Sequence, residues 1–170
     1  MEFKFKSAEA FMLDDEIYVY KNFYPDHNDM VYSINCLNID DWNVHDHGSF
    51  PPGRLSRDFV RPFFHDFLID FISPEYWCFQ HSNFIRLDAD CGDIPPQKIN
   101  LSNIKYVLGY YIGDFEGGEI VFNDSIEYKP ESNDLLIFNS EYKYSINNVI
   151  SGTRYCYLDY VVENPGYTFV

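Results

Sequence analysis

A chain of 170 residues with 27 acidic and 12 basic side chains has a formal charge of -15, which repels a phosphate backbone and argues against direct nucleic-acid binding. Hydrophobic residues make up 46% of the chain and aromatics 19%, enough for a core and too many for disorder, and the length suits one domain over 1–170. No apolar run is long enough to span a bilayer, Met1-Glu2-Phe3-Lys4-Phe5-Lys6 lacks a leader's apolar stretch, and Cys36, Cys78, Cys91 and Cys156 form no CxxC pair, so we expect a soluble, cytoplasmic protein with reduced, buried thiols and no membrane partner.

In chain order, residues 16–20 (Glu-Ile-Tyr-Val-Tyr) are β-branched and aromatic and predict a strand. Pro25 stops it, and Asp26 is placed to cap a helix reaching to about Asn38. Residues 43–57 hold His45, His47, Gly48, Pro51, Pro52 and Gly53 and read as a loop. From Ser56 through Ile72, Phe59, Phe63, Phe64, Phe67, Leu68 and Phe71 recur at three- and four-residue spacing, which predicts an amphipathic helix whose Phe stripe packs on a core. Pro62 is tolerated in its first turn, and Ser73-Pro74 ends it.

Beyond this point the texture changes to short runs rich in Ile, Val, Tyr and Phe: 83–87, 105–112, 119–122, 125–128, 134–138, 144–149 and 154–162. Gly117-Gly118, Asn123-Asp124 and Ser151-Gly152 supply turns between them, and strands at this spacing predict an antiparallel sandwich or barrel. The tail Pro165-Gly166-Tyr167-Thr168-Phe169-Val170 either covers a sheet edge or adds a strand to a neighbour.

Three ordered blocks carry a resemblance. Tyr110-Tyr111-Ile112-Gly113-Asp114-Phe115-Glu116-Gly117-Gly118-Glu119-Ile120-Val121-Phe122 resembles the "YLN…GGE…F" hairpin of the prolyl 4-hydroxylase-like 2-oxoglutarate/Fe(II) oxygenases. Tyr128-Lys129-Pro130-Glu131-Ser132-Asn133-Asp134-Leu135-Leu136-Ile137-Phe138 is similar to the family's turn and strand, with Asn133 where Gly is usual; Asn tolerates the left-handed conformation a turn needs. The segment from Phe138 to Tyr155 is similar to "FpSeyxHxVxPVxxGxRY". The resemblance spans about 15–162 and implies a mainly β (α+β) fold, a double-stranded β-helix or jelly roll with N-terminal helices packed on one sheet.

The same resemblance implies Fe(II) held by two imidazoles and a carboxylate. Aligned on the prolines of Gly92-Asp93-Ile94-Pro95-Pro96-Gln97-Lys98-Ile99, Pro96 stands for the first His and Lys98 for the Asp; a one-residue slip puts Gln97 and Ile99 there instead. The distal His falls on Tyr144, a poor ligand at neutral pH. Arg154 matches the position that pairs with the distal carboxylate of 2-oxoglutarate, so metal-free dicarboxylate binding is one reading of it; pairing with a neighbouring acid is the one expected. His45-Asp46-His47 reads as a polar loop rather than a metal site, and His27, His65 and His81 as surface or capping residues.

The function expected is therefore a non-catalytic jelly-roll module, with no catalytic residue, metal or cofactor, whose role is structural or protein-binding. Few alanines among many Asn, Ile, Tyr and Phe give it the texture of a viral protein, so a bacteriophage accessory or virion subunit, partnered by other assembly subunits in virion or host cytoplasm, is the setting expected. The alternatives are a divergent hydroxylase drawing ligands from His45, His47 or Asp93, and a metal-free dicarboxylate binder using Arg154.

Overall fold

The computed structural model describes residues 9–44, 55–58, 62–71, 76–78, 83–89, 91–99 and 103–163. In chain order, β1 (Glu9–Asp14) and β2 (Ile17–Lys21) precede helix α1 (His27–Asn35), a 3-10 turn (Ile39–Asp41), β3 (Asn43–Val44), β4 (Leu55–Asp58) and helix α2 (Pro62–Phe71). There follow β5 (Tyr76–Cys78), β6 (Asn83–Asp88), β7 (Ile94–Gln97), β8 (Ile104–Ile112), β9 (Phe115–Gly117), β10 (Ile120–Phe122), β11 (Ile126–Tyr128), β12 (Leu135–Asn139), β13 (Tyr144–Ile146) and β14 (Val149–Glu163). Every pairing is antiparallel. The larger sheet runs β1-β2-β12-β8-β14-β6-β4-β3 and the smaller one β11-β10-β13-β7.

The near-continuous apolar run of β8 is the signature of a strand covered on both faces. Tyr106, Leu108, Tyr110 and Ile112 point to one side, where Leu135, Ile137, Phe84 and Tyr157 join them against Met30 and Ile34 of α1 and Phe64, Leu68 and Phe71 of α2. Val107 and Tyr111 point to the other side, where Leu136, Phe138, Leu87 and Cys156 meet Ile94, Ile120 and Phe122 of the smaller sheet. The jelly roll with helices on one sheet is thus the architecture of the described residues. In the helical layer Phe23 meets Phe71 edge-on at 4.7 Å and Tyr24 meets Phe64 at 5.0 Å, contacts worth about 0.5–1.5 kcal/mol each beyond their buried area.

Asn133 adopts φ +72, as the turn requires, and its side chain adds what glycine cannot. Its Oδ1 accepts from the Tyr24 amide at 2.9 Å and the Tyr110 hydroxyl at 3.1 Å, and its Nδ2 donates to the Tyr24 carbonyl at 3.2 Å, tying the turn to the approach of α1. Next to it Asp134, 1% exposed, accepts from Lys21 Nζ at 2.8 Å, Tyr128 Oη at 2.6 Å and the Glu131 amide at 2.7 Å.

Several expectations need correction. The Phe-rich helix, described over Pro62–Phe71, does not reach back to Ser56, because residues 55–58 pair with residues 83–86 as β4. That strand and β3 also interrupt the expected loop of 43–57, whose remainder, with His45, Asp46 and His47, lies outside the described residues. So do His81, the side chains of His65 and Cys78, and the 165–170 tail. Helix α1 ends at Asn35 rather than Asn38, and Asp26 precedes it without a side-chain cap: its carbonyl, not its carboxylate, accepts from the Asp29 amide at 3.0 Å. Cys36 is exposed, whereas Cys91 and Cys156 are buried thiols outside any disulfide. Among the described residues no helix is long and apolar enough to cross a membrane.

Candidate functional site

The two sheets enclose a cavity of about 40 Å³ between the end of β7, β13, the inner face of β8 and the middle of β14. Most of its wall is aliphatic or aromatic, including Ile85, Leu87, Ile120 and Phe138; the polar groups that reach it come from Gln97, Tyr111, Tyr144, Arg154 and Cys156.

Register decides which side chains enter. Tyr144 stands opposite Gln97 in the β13–β7 pairing, and Gln97 Nε2 donates to Tyr144 Oη at 3.1 Å. Because successive strand residues face opposite sides, Pro96 and Lys98 point away; both are exposed, and Lys98 reaches Glu141 at 3.5 Å. Of the two registers that the resemblance allows, the side chains of the second face inward: Gln97 lines the cavity, and Ile99, half-buried, packs against the inner core. Asp93 is exposed, and its carboxylate accepts from the Asn148 amide at 2.7 Å.

Arg154 is the largest fully buried side chain, 2% exposed. Its guanidinium lies 4.8 Å from the centre of the Tyr111 ring, a cation–π geometry. Two glycines make that arrangement possible. A Cβ on Gly118, the second glycine of the GGE block, would sit 3.0 Å from Arg154 Cδ, and a Cβ on Gly109 would sit 2.5 Å from Tyr111 Oη. Burial holds the Tyr111 phenol well above its usual range, the neighbouring Cys156 adds to the rise and Arg154 only partly opposes it, so the phenol is neutral. Burial likewise raises the Cys91 thiol.

The expected acid partner of Arg154 is not found among the described residues. Its cross-strand neighbour is Leu87; the nearest acid in register, Asp88, stands opposite Thr153 on the other face, where it accepts from Arg86 and from Thr153 Oγ1 at 2.9 Å each. Arg154 Nε is buried and has no hydrogen-bond partner among the described residues. An uncompensated guanidinium in a low-dielectric interior is costly and calls for an anion.

An amide, phenols, a thiol and a guanidinium do not supply the two imidazoles and one carboxylate that hold Fe(II) in an oxygenase site. Among the described residues no group of three His, Cys, Asp or Glu side chains is placed to hold a metal. Sequence reasoning located Arg154 and Tyr144 but passed over Tyr111, Gly109 and Cys156. A glycine in an otherwise bulky strand was the signal, since it marks a close approach.

No protein-family model matches this chain, and no curated protein matches it by sequence. Solved structures do. A prolyl hydroxylase from Trichoplax adhaerens, determined with a hypoxia inducible factor oxygen degradation domain peptide, superimposes with a TM-score of 0.72 at 12% identity over 88% of this chain and 84% of that one. A Pseudomonas putida prolyl-4-hydroxylase gives 0.67 at 10% identity over 88% and 93%. The viral collagen prolyl hydroxylase of Paramecium Bursaria Chlorella virus-1, in its 2OG complex, gives 0.61 at 13% identity over 88% and 97%. At these identities the likeness concerns the fold, and on that ground the chain has the jelly-roll fold of the prolyl hydroxylase and 2-oxoglutarate/Fe(II) oxygenase structures.

Proposed function

We propose that this chain is a non-catalytic oxygenase-fold module that holds no iron and acts as a structural or protein-binding unit. The observation that carries the reading is the Gln97–Tyr144 hydrogen bond: two side chains that the resemblance aligns with imidazole positions, Gln97 in its second register, engage each other across paired strands. Support for an interaction role comes from β1, an edge strand of the larger sheet with Phe11 40% and Met12 54% exposed on an acidic surface. An edge that no described strand pairs, carrying apolar side chains, offers backbone hydrogen bonds and apolar area to a protein partner, such as another subunit of a virion or other assembly.

The test is turnover. Purified chain supplied with Fe(II), ascorbate, 2-oxoglutarate and proline-containing peptides is expected to form no succinate above the protein-free rate; succinate formed in proportion to chain concentration would overturn the reading. A second reading, metal-free binding of a carboxylate, is favoured by the unpartnered Nε of Arg154.

A further inference from the structure

We infer that the interior pocket is a metal-free site for one short monocarboxylate of the size of formate or acetate, anchored by Arg154. The inference rests on the metal-free reading above and specifies what the pocket takes.

Three observations converge on it. First, Arg154 is 2% exposed, its guanidinium lies over the neutral Tyr111 ring, and among the described residues its Nε has no acceptor. A guanidinium presents Nε–H and an Nη–H side by side, a fork that matches the two oxygens of one carboxylate. Second, the cavity that Arg154 lines is small, about 40 Å³, which favours a short ligand over a five-carbon dicarboxylate. Tyr111, folded over Gly109, occupies interior space beside the guanidinium and keeps the cavity small. Third, the rest of the lining carries no second cation: Ile85, Leu87, Ile120 and Phe138 make most of it, and the amide of Gln97 and the phenol of Tyr144 bond to each other. One charged end and an otherwise uncharged, mostly apolar wall select a single carboxylate carrying hydrogen or a short alkyl group. A second carboxylate would be buried without a counter-charge.

The experiment is thermal unfolding of the full chain in chloride buffer against equal ionic strengths of sodium formate, acetate, sulfate and 2-oxoglutarate, with a Mn(II) titration alongside. Formate or acetate is expected to raise the melting temperature saturably, by about 3–6 °C at ten times Kd, while sulfate and 2-oxoglutarate match chloride. Arg154→Met should abolish the shift. Arg154→Lys, which keeps the charge without the fork, should weaken apparent affinity at least about tenfold, each 1.4 kcal/mol being one decade. Should neither variant fold, line broadening of ¹³C-labelled acetate by the native chain, reversed by excess unlabelled formate, reports the same binding. A carboxylate shift no larger than that of chloride, with no line broadening, overturns this inference and leaves the metal-free reading standing. A 2-oxoglutarate shift exceeding that of acetate overturns the size argument. Stoichiometric Mn(II) binding overturns the metal-free reading and this inference with it.

Discussion

Replacing Tyr144 by Phe removes one oxygen from the wall of the interior pocket and tests whether Gln97 and Tyr144 are engaged with each other. The bond is 3.1 Å long, joins two half-buried neutral side chains and lies within a register pair of β7 and β13. A neutral hydrogen bond of this kind contributes about 0.5–1.5 kcal/mol net, and stranding the Gln97 amide beside an aromatic ring costs a similar amount, so Tyr144→Phe should destabilise by about 1 kcal/mol. Gln97→Leu should cost less, because the lost donor is offset by apolar burial among Ile94 and Ile146. The double variant should be more stable than the sum of the single changes predicts, with a coupling of about 1 kcal/mol. At this chain length that corresponds to about 2–4 °C in melting temperature. Urea unfolding of the four proteins measures it. A coupling below about 0.3 kcal/mol, the usual scatter of additivity, would mean that the two side chains do not hold each other and would remove the main support for a closed, metal-free interior.

Lys21→Met leaves the buried Asp134 carboxylate with neutral donors only; loss of a fully buried partner costs about 3–5 kcal/mol, and because the Lys21 side chain is 21% exposed we expect about 2 kcal/mol, read by urea unfolding at pH 7. His27, the first residue of α1, bonds through its ring nitrogens to Tyr110 Oη and Ser132 Oγ, and burial lowers its pKa. Below the unfolded value near ~6.5 the unfolded chain takes up the proton more readily than the folded one, so His27 contributes stability above that pH that is lost as pH falls through its folded pKa. Melting temperature should therefore drop between pH 7 and 5.5, and the drop should shrink in His27→Gln. Gly152 has φ +78 beside the Asp114 carbonyl oxygen, so Gly152→Ala combines a left-handed penalty of about 1–2 kcal/mol with a collision and should lower the melting temperature by at least about 5 °C.

The central strands were legible because burial on both faces leaves an unbroken apolar run, as in β8, and because Gly117-Gly118, Asn133 and Ser151-Gly152 mark their turns. Strand β7 was hidden by its own sequence. Ile-Pro-Pro-Gln reads as a break, yet β7 is the last strand of the smaller sheet, and prolines are tolerated on an edge because they need donate nothing to a neighbour. Likewise β1, at the edge of the larger sheet, carries Glu, Ala, Met and Leu, whose strand preference is weak, and its role comes from the partner it finds in β2.

The site was legible in its residues and not in its geometry. Alignment on prolines placed Pro96 inward, and a slip of one residue exchanges faces, so only the pairing of Tyr144 with Gln97 settles which side chain lines the pocket. Arg154 was located, but an acid partner was expected for it. Asp88, one residue out of register, falls on the opposite face, an outcome of strand alternation that no inventory of charges conveys.

Calorimetric titration of Fe(II), under anaerobic conditions, or of Mn(II) into the purified chain, with and without 2-oxoglutarate, tests the central claim most directly. With Gln97 and Tyr144 bonded to each other in the interior, the account predicts no heat beyond dilution in either case. One-to-one metal binding that tightens when 2-oxoglutarate is added would contradict it.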